Sequence, residues 1–347
     1  MRTALLAALL AWTSAGAERP LKLPAPEFPK GAAWMNSEPF TMARLKGRRV
    51  VVVTFINPNA VASLRALNEI ERWWDDYALD GLMVIGVHSP DYDFDRDPTL
   101  LRKALKRYRL KFPIVLDSRR EIWKAYANEG WPAHFLIDHE GRIVFERLGE
   151  SGMPEFEREI LDALERFNSY RRPTPVPETP FKDECGRATR PVYLGQRRGG
   201  KVKQLTQLKT ETLGETRDGE VAAAGPWSLE PDGIRAGAAG GRGGEAMRII
   251  YRGSEALAVL SRTGNRLGRV YVKQDNLWLH AGNAGQDIRW DGDEHSYVSL
   301  DEPRLYTLTK NKKSVNMHEL LLTPDDPGIA VHALEFSDHC SNAYLHR

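Results

Sequence analysis

The chain has 347 residues, 41% hydrophobic and 28% charged, a globular composition that excludes disorder throughout and, at roughly 150 residues per domain, leaves room for two domains. Lys and Arg number 49 against 47 Asp and Glu, a formal charge of +2, which excludes a dedicated nucleic-acid binder. Arg2, the apolar run at 5–12 and the small residues Ala15, Gly16 and Ala17 have the layout of a secretory signal peptide. Residues 1–17 are therefore expected to leave a mature chain that begins at Glu18; a retained N-terminal anchor is the alternative. No later stretch approaches the ~18 uninterrupted apolar residues of a membrane span. The expected address is periplasmic or secreted.

Residues 50–56, VVVVTFI, read as a central strand buried on both faces. Leu64, Leu67, Ile70, Trp74 and Tyr77 recur at steps of three and four and predict a helix over 60–79. The run at 82–87 predicts a second strand, parallel to the first because a helix joins them. Asp97 caps a further helix with Pro98 at its first position and Leu101, Leu105 and Tyr108 inward. A strand at 112–116 leads to Ser118 and Glu121, spaced as a capping box before a short helix with Ile122 and Tyr126. Pro132 precedes a strand at 134–137, Gly141 turns the chain into a strand at 143–148, and a helix at 154–167 turns Phe156, Ile160, Leu164 and Phe167 inward.

The segment 171–180, RRPTPVPETP, is a stiff connector. It divides an α/β domain (18–170) from an all-β domain (185–347), with the linker at 171–184. Beyond it, alternating strands at 247–251, 256–261, 269–273, 297–300, 305–309, 318–322 and 329–336 predict a two-sheet sandwich. The glycine-rich stretch 233–244 reads as a loop between strands, lacking the strand-to-helix context of a phosphate cradle. Cys185 and Cys340, the two cysteines of the chain, are expected to pair in an oxidising compartment, with two buried thiols as the alternative.

The element order β-α-β-α-β-α-β-β-α, with a proline opening the penultimate strand, resembles the thioredoxin fold. Trp34, Asn36, Pro39, Leu45 and Gly47, the run 84–90 (VIGVHSP), Asp97-Pro98 and above all 131–138 (WPAHFLID) are similar to DipZ-type and TlpA-like periplasmic thioredoxins. The likeness continues through Tyr193, Leu194, Gly195, Trp227 and 301–306. It implies a cis-proline at Pro132 and a C-terminal sandwich, jelly-roll and carbohydrate-binding-module-like. It also places the family's C-x-x-C pair at Ala60 and Ser63, where this chain reads Ala-Val-Ala-Ser. Disulfide exchange needs a thiolate, which Ala lacks and a serine hydroxyl does not replace.

No catalytic residue is therefore expected at Ala60 or Ser63, and no cofactor. The residues left as candidates are Trp131 and Pro132, whose extended backbone could take a protein or peptide partner in the cell envelope. The main functional expectation is a binding or assembly module. The alternatives are a thiol-disulfide oxidoreductase of the redoxin family and a secreted glycan-binding protein, with Trp227, Trp278, Trp290, Tyr297 and Tyr306 as possible sugar platforms. Asp91, Asp93 and Asp95 stand at the alternate positions of a hard-cation loop, but its Gly and terminal Glu are missing, so a solvated loop is expected. His332, His339 and Cys340 match no zinc spacing, and no metal is expected.

Overall fold

The computed structural model describes residues 23–168, 188–199, 202–205, 217–237, 245–264, 267–312 and 317–338. The segment expected to be a signal peptide, 1–17, the expected linker at 171–184, Cys185, His339 and Cys340 lie outside the described residues.

The first unit runs β1 (Leu23–Pro24), β2 (Ala33–Met35), α1 (Met42–Leu45), β3 (Val50–Phe55), α2 (Val61–Tyr77), β4 (Leu82–His88), α3 (Pro98–Arg107), β5 (Ile114–Leu116), α4 (Glu121–Ala125), β6 (Ala133–Ile137), β7 (Arg142–Leu148) and α5 (Met153–Asn168). Its seven strands are ordered β1-β7-β6-β3-β4-β5-β2, with β3, β4 and β5 parallel and β6 antiparallel to β3. Every residue of β3 is buried because both faces are covered. Val50 and Val52 meet the core that contains α2 and α5, while Val51, Val53 and Phe55 meet Met42, Leu45, Ile122 and Tyr126. This is a thioredoxin-like α/β domain.

Two local expectations change. The fully buried tryptophan of α2 is Trp73, stacked on Phe156 with ring centroids 5.4 Å apart, and Trp74 is half-buried. The capping box at Ser118 and Glu121 is not formed: α4 starts after Arg120, which has a left-handed φ of 57°. Asp117 caps it instead, accepting from the backbone N–H of Ile122 and Trp123 at 3.1 and 2.9 Å. Not among the predicted elements, β1 and β2 are edge strands at the two ends of the sheet with too few residues to show a period.

The second unit begins with β8 (Val192–Tyr193), β9 (Val202–Leu205), β10 (Val221–Ala224), β11 (Trp227–Leu229), β12 (Ile234–Ala236), β13 (Ala246–Arg252) and β14 (Glu255–Arg262). It continues with β15 (Gly268–Gln274), β16 (Leu277–Trp278), β17 (Ile288–Trp290), β18 (Ser296–Leu300), β19 (Arg304–Lys310), β20 (Met317–Pro324) and β21 (Ile329–Ser337). One sheet is ordered β17-β18-β15-β20-β13-β10-β9 and the other β11-β12-β21-β14-β19, a β-sandwich. Within 233–244, Ile234–Ala236 is a strand rather than loop.

The strands β14 and β21 do not alternate: β21 is buried along its whole length and β14 up to its last residue. One face of their sheet fills the sandwich core through Ala258, Leu260, Val331 and Leu334. The other places Leu257, Val259, Leu305 and Ala333 in the core cluster of the first domain. The two domains thus share one packed apolar layer, which brings the sandwich to the start of α2.

Candidate functional site

The chain leaves β3 through Ile56 and turns at 57–60 before α2. Asn57 is buried; its amide side chain donates to Asp95 at 3.1 Å, and its carbonyl oxygen accepts from Asn59 N–H at 2.8 Å. The Asn59 side chain also donates to Asp95, at 2.8 Å. Ser63, fully buried on the first turn of α2, accepts from the backbone N–H of Asn57 at 3.1 Å. Its hydroxyl oxygen is a structural acceptor that locks the turn, with no base beside it among these contacts.

Ala60 is the N-cap of α2 and contributes no side-chain bond. Alanine is a poor residue there, because the first N–H groups of a helix need acceptors. The missing acceptor comes from the other domain: Glu335 on β21, 2% exposed, takes the backbone N–H of Val61 at 2.6 Å. Leu305 N–H of β19 donates to Asn59 Oδ1 at 2.9 Å, and Arg65 donates to Ser337 Oγ at 3.1 Å while also holding Glu150. Burial pushes the Glu335 carboxyl up to about 7, against the pull of the Val61 N–H and the Arg65 charge. The carboxylate thus occupies the helix N-terminus, the electropositive position that favours an anion.

On the neighbouring strand, Phe55 pairs with Ala133, so Pro132 lies beside the end of β3 where the 57–60 turn begins. The Trp131–Pro132 peptide is cis, Pro132 is buried, and its carbonyl accepts from Gly149 N–H at 2.7 Å. Trp131 is half-buried against Trp123, with centroids 4.3 Å apart, and the guanidinium groups of Arg120 and Arg198 lie 5.0 and 5.5 Å from its ring. Ala60, Ser63, Trp131 and Pro132 therefore belong to one end of the sheet.

The acidic loop is not solvated as a whole. Asp95 is buried and accepts from Asn57, Asn59 and the backbone N–H of Asp91 and Tyr92. Asp91 pairs with Arg198 and Asp93 with Arg197, both from the second domain. Burial pushes the Asp91 carboxyl up to about 6, opposed by Arg198. Asp91 and Asp93 clamp the domains, Asp95 ties the loop to the 57–60 turn, and all three are committed as acceptors, so they do not form an open cation loop.

The other candidates disperse. Trp227 and Tyr306 are core residues, while Trp278 is half-buried beside His295 and Trp290 is 42% exposed. His332 is a buried strand histidine between Ser261 Oγ at 2.7 Å and the Asp232 carbonyl at 2.8 Å. Asp291, Asp293 and His295 bring ligand atoms within 4.8 Å of one another, but Asp291 already accepts from the backbone N–H of Asp293 and His295, the pattern of a turn. Among the described residues, no helix is long and apolar enough to cross a membrane. The functional residue that sequence reasoning misses is Glu335: it lies 274 positions from Val61, with no local motif to reveal it.

Residues 22–146 match the AhpC/TSA family and residues 189–337 the family described as thioredoxin like C-terminal domain. Protein DipZ of Mycobacterium tuberculosis is 33% identical over 129 residues, 36% of this chain and 18% of that protein. Thiol-disulfide oxidoreductase YkuV of Bacillus subtilis is 29% identical over 144 residues, 42% of this chain and 96% of that protein. The chain thus spans under a fifth of DipZ and nearly all of YkuV. The crystal structure of a thiol-disulfide isomerase from Corynebacterium glutamicum aligns with a TM-score of 0.37 at 25% identity, over 40% of this chain and 96% of that one. By the AhpC/TSA match the first domain is redoxin-like, and the two sequence relatives named resemble it more than they suggest a purpose-built binding module.

Proposed function

We propose that this chain is an exported redoxin-like protein of thiol-disulfide oxidoreductase lineage. In this reading the helix site, with Ala60 and Ser63 in place of the dithiol, is given over to docking the β-sandwich, and the pair of domains acts as a binding or assembly module in the cell envelope. The observation that carries it is the Glu335 carboxylate on Val61 N–H at 2.6 Å. An acidic side chain of the chain's own second domain sits where a redox thiolate would draw its stabilisation. Export rests on the N-terminal sequence, and the partner surface on Trp131 and the clamp around it.

The second reading is an active thiol-disulfide oxidoreductase, favoured by the match across nearly the whole of YkuV. With two cysteines in the chain, it would draw its thiol from Cys185 or Cys340. Reduction of insulin by dithiothreitol separates the two readings: the full chain is expected to leave the background rate unchanged. Turnover that disappears in Cys185→Ala or Cys340→Ala would establish the second.

A further inference from the structure

We propose that the cavity between the two domains, walled by Tyr92, Arg120, Tyr193, Arg197, Arg198 and His332, binds a small oxyanion, a carboxylate or a phosphate-type group. The cavity measures about 150 Å³, room for several non-hydrogen atoms.

Its polar groups are unevenly matched. Arg120 Nε and the Tyr92 hydroxyl are buried with no hydrogen-bond partner, and so is Trp131 Nε1, on the ring over which Arg120 and Arg198 lie. Buried donors without acceptors are rare in folded proteins and each is costly, so two on residues that wall one cavity call for an acceptor. Arg and Trp offer donors alone. The two other arginines have carboxylate partners, Arg197 with Asp93 and Arg198 with Asp91. Asp232, also in the wall, accepts from Asp93 N–H at 2.9 Å and lies 3.4 Å from His332. Arg120 instead rests on Trp123 and Trp131, with its guanidinium carbon 4.4 and 5.0 Å from the ring centroids.

The aromatic clamp fixes the plane of the guanidinium, and a fixed fork of N–H groups suits the paired oxygens of a carboxylate or phosphate. Asp91 and Asp232 share the wall with Arg120, and Asp91 lies within electrostatic reach of it, so an incoming anion competes with that carboxylate for the guanidinium. Both domains contribute walls, so a bound anion also bridges them. None of this depends on whether the helix site carries out redox chemistry.

The test is the melting temperature of the full chain titrated with sodium phosphate, with sodium malonate, and with a hexapeptide bearing either a free or an amidated C-terminus, all at ionic strength matched with chloride. Anions that bind the folded state raise the midpoint with concentration. The proposal expects a rise with at least one oxyanion, a half-effect concentration at least tenfold higher in Arg120→Gln, and a smaller weakening in Tyr92→Phe, which keeps the ring. A response to the free-carboxyl peptide but not the amidated one identifies a chain end as the source, and a response to phosphate or malonate a free anion. Equal midpoints in chloride and every oxyanion overturn the proposal. So does a response that both variants leave unchanged; if Arg120→Gln does not fold, Tyr92→Phe decides alone.

Discussion

Replacing Glu335 by Gln removes the charge at the domain junction while keeping an oxygen that can accept the Val61 N–H. The carboxyl is raised from 4.5 to about 7 in the folded chain, chiefly by burial. Between those two pH values the folded chain retains a proton that the unfolded chain has released, so stability falls as pH rises. The stabilisation is complete below about 4.5 and lost above about 7. At 1.36 kcal/mol per pH unit the difference amounts to ~3 kcal/mol, or ~5 °C in melting temperature for a protein of this size. Asp91, raised to about 6 by burial, adds a slope of the same sign to both proteins, and because its charge also raises Glu335 the Glu335→Gln comparison reads the two coupled carboxyls together. Scanning calorimetry from pH 4.5 to 8 should find Glu335→Gln close to wild type at the acid end and more stable by several degrees at pH 8. Glu335→Ala, which strands the Val61 N–H, should be less stable than Glu335→Gln at every pH by about 1–3 kcal/mol. Parallel wild-type and Glu335→Gln curves across the range would refute a buried, proton-holding carboxyl.

Asp95→Ala strands four donors, the side chains of Asn57 and Asn59 and the backbone N–H of Asp91 and Tyr92, and is expected to cost ~3 kcal/mol or more. A melting temperature within 2 °C of wild type, with ~1 kcal/mol or less lost, would contradict that network. Ala60→Cys with Ser63→Cys should recover measurable but weak insulin reduction, because a cysteine at the helix start can ionise while the Glu335 charge opposes it. Adding Glu335→Gln to that double variant should raise the rate, and a rate that falls or stays level would count against the electrostatic reasoning.

Much of the first domain is legible because its signals are local. The run 50–56 and the 3-4 spacing of α2 state strand and helix directly, and Asp97-Pro98 forms the cap it spells, with Asp97 accepting from Thr99 N–H at 2.7 Å. Choosing Trp73 over Trp74 needs the position of Phe156 on α5, which periodicity does not contain. In the second domain all seven expected strands lie inside observed strands, although β14 and β21 are buried on both faces and do not alternate. Strands such as β11, β12 and β17 escape because three residues hold too little pattern to stand out from a loop. The run of the acidic loop suggests solvent or cations; arginines more than 100 positions away decide otherwise. The same limit hides Glu335, since a helix cap supplied by another domain is a property of packing rather than of any window of sequence.

The central claim is that the start of α2 belongs to the Glu335 carboxylate. The most direct measurement is the pH dependence of alkylation of the single thiol introduced by Ala60→Cys, followed by mass mapping of the peptide that carries residue 60. An exposed cysteine titrates near ~8.5, and one at a free helix N-terminus falls to roughly 3.5–7.5. With Glu335 in place the thiol should titrate at about 8.5 or above, and in the Glu335→Gln background about one pH unit or more lower. A midpoint below about 7 with Glu335 present, unmoved by Glu335→Gln, would mean that the helix N-terminus stands open and that the claim is wrong.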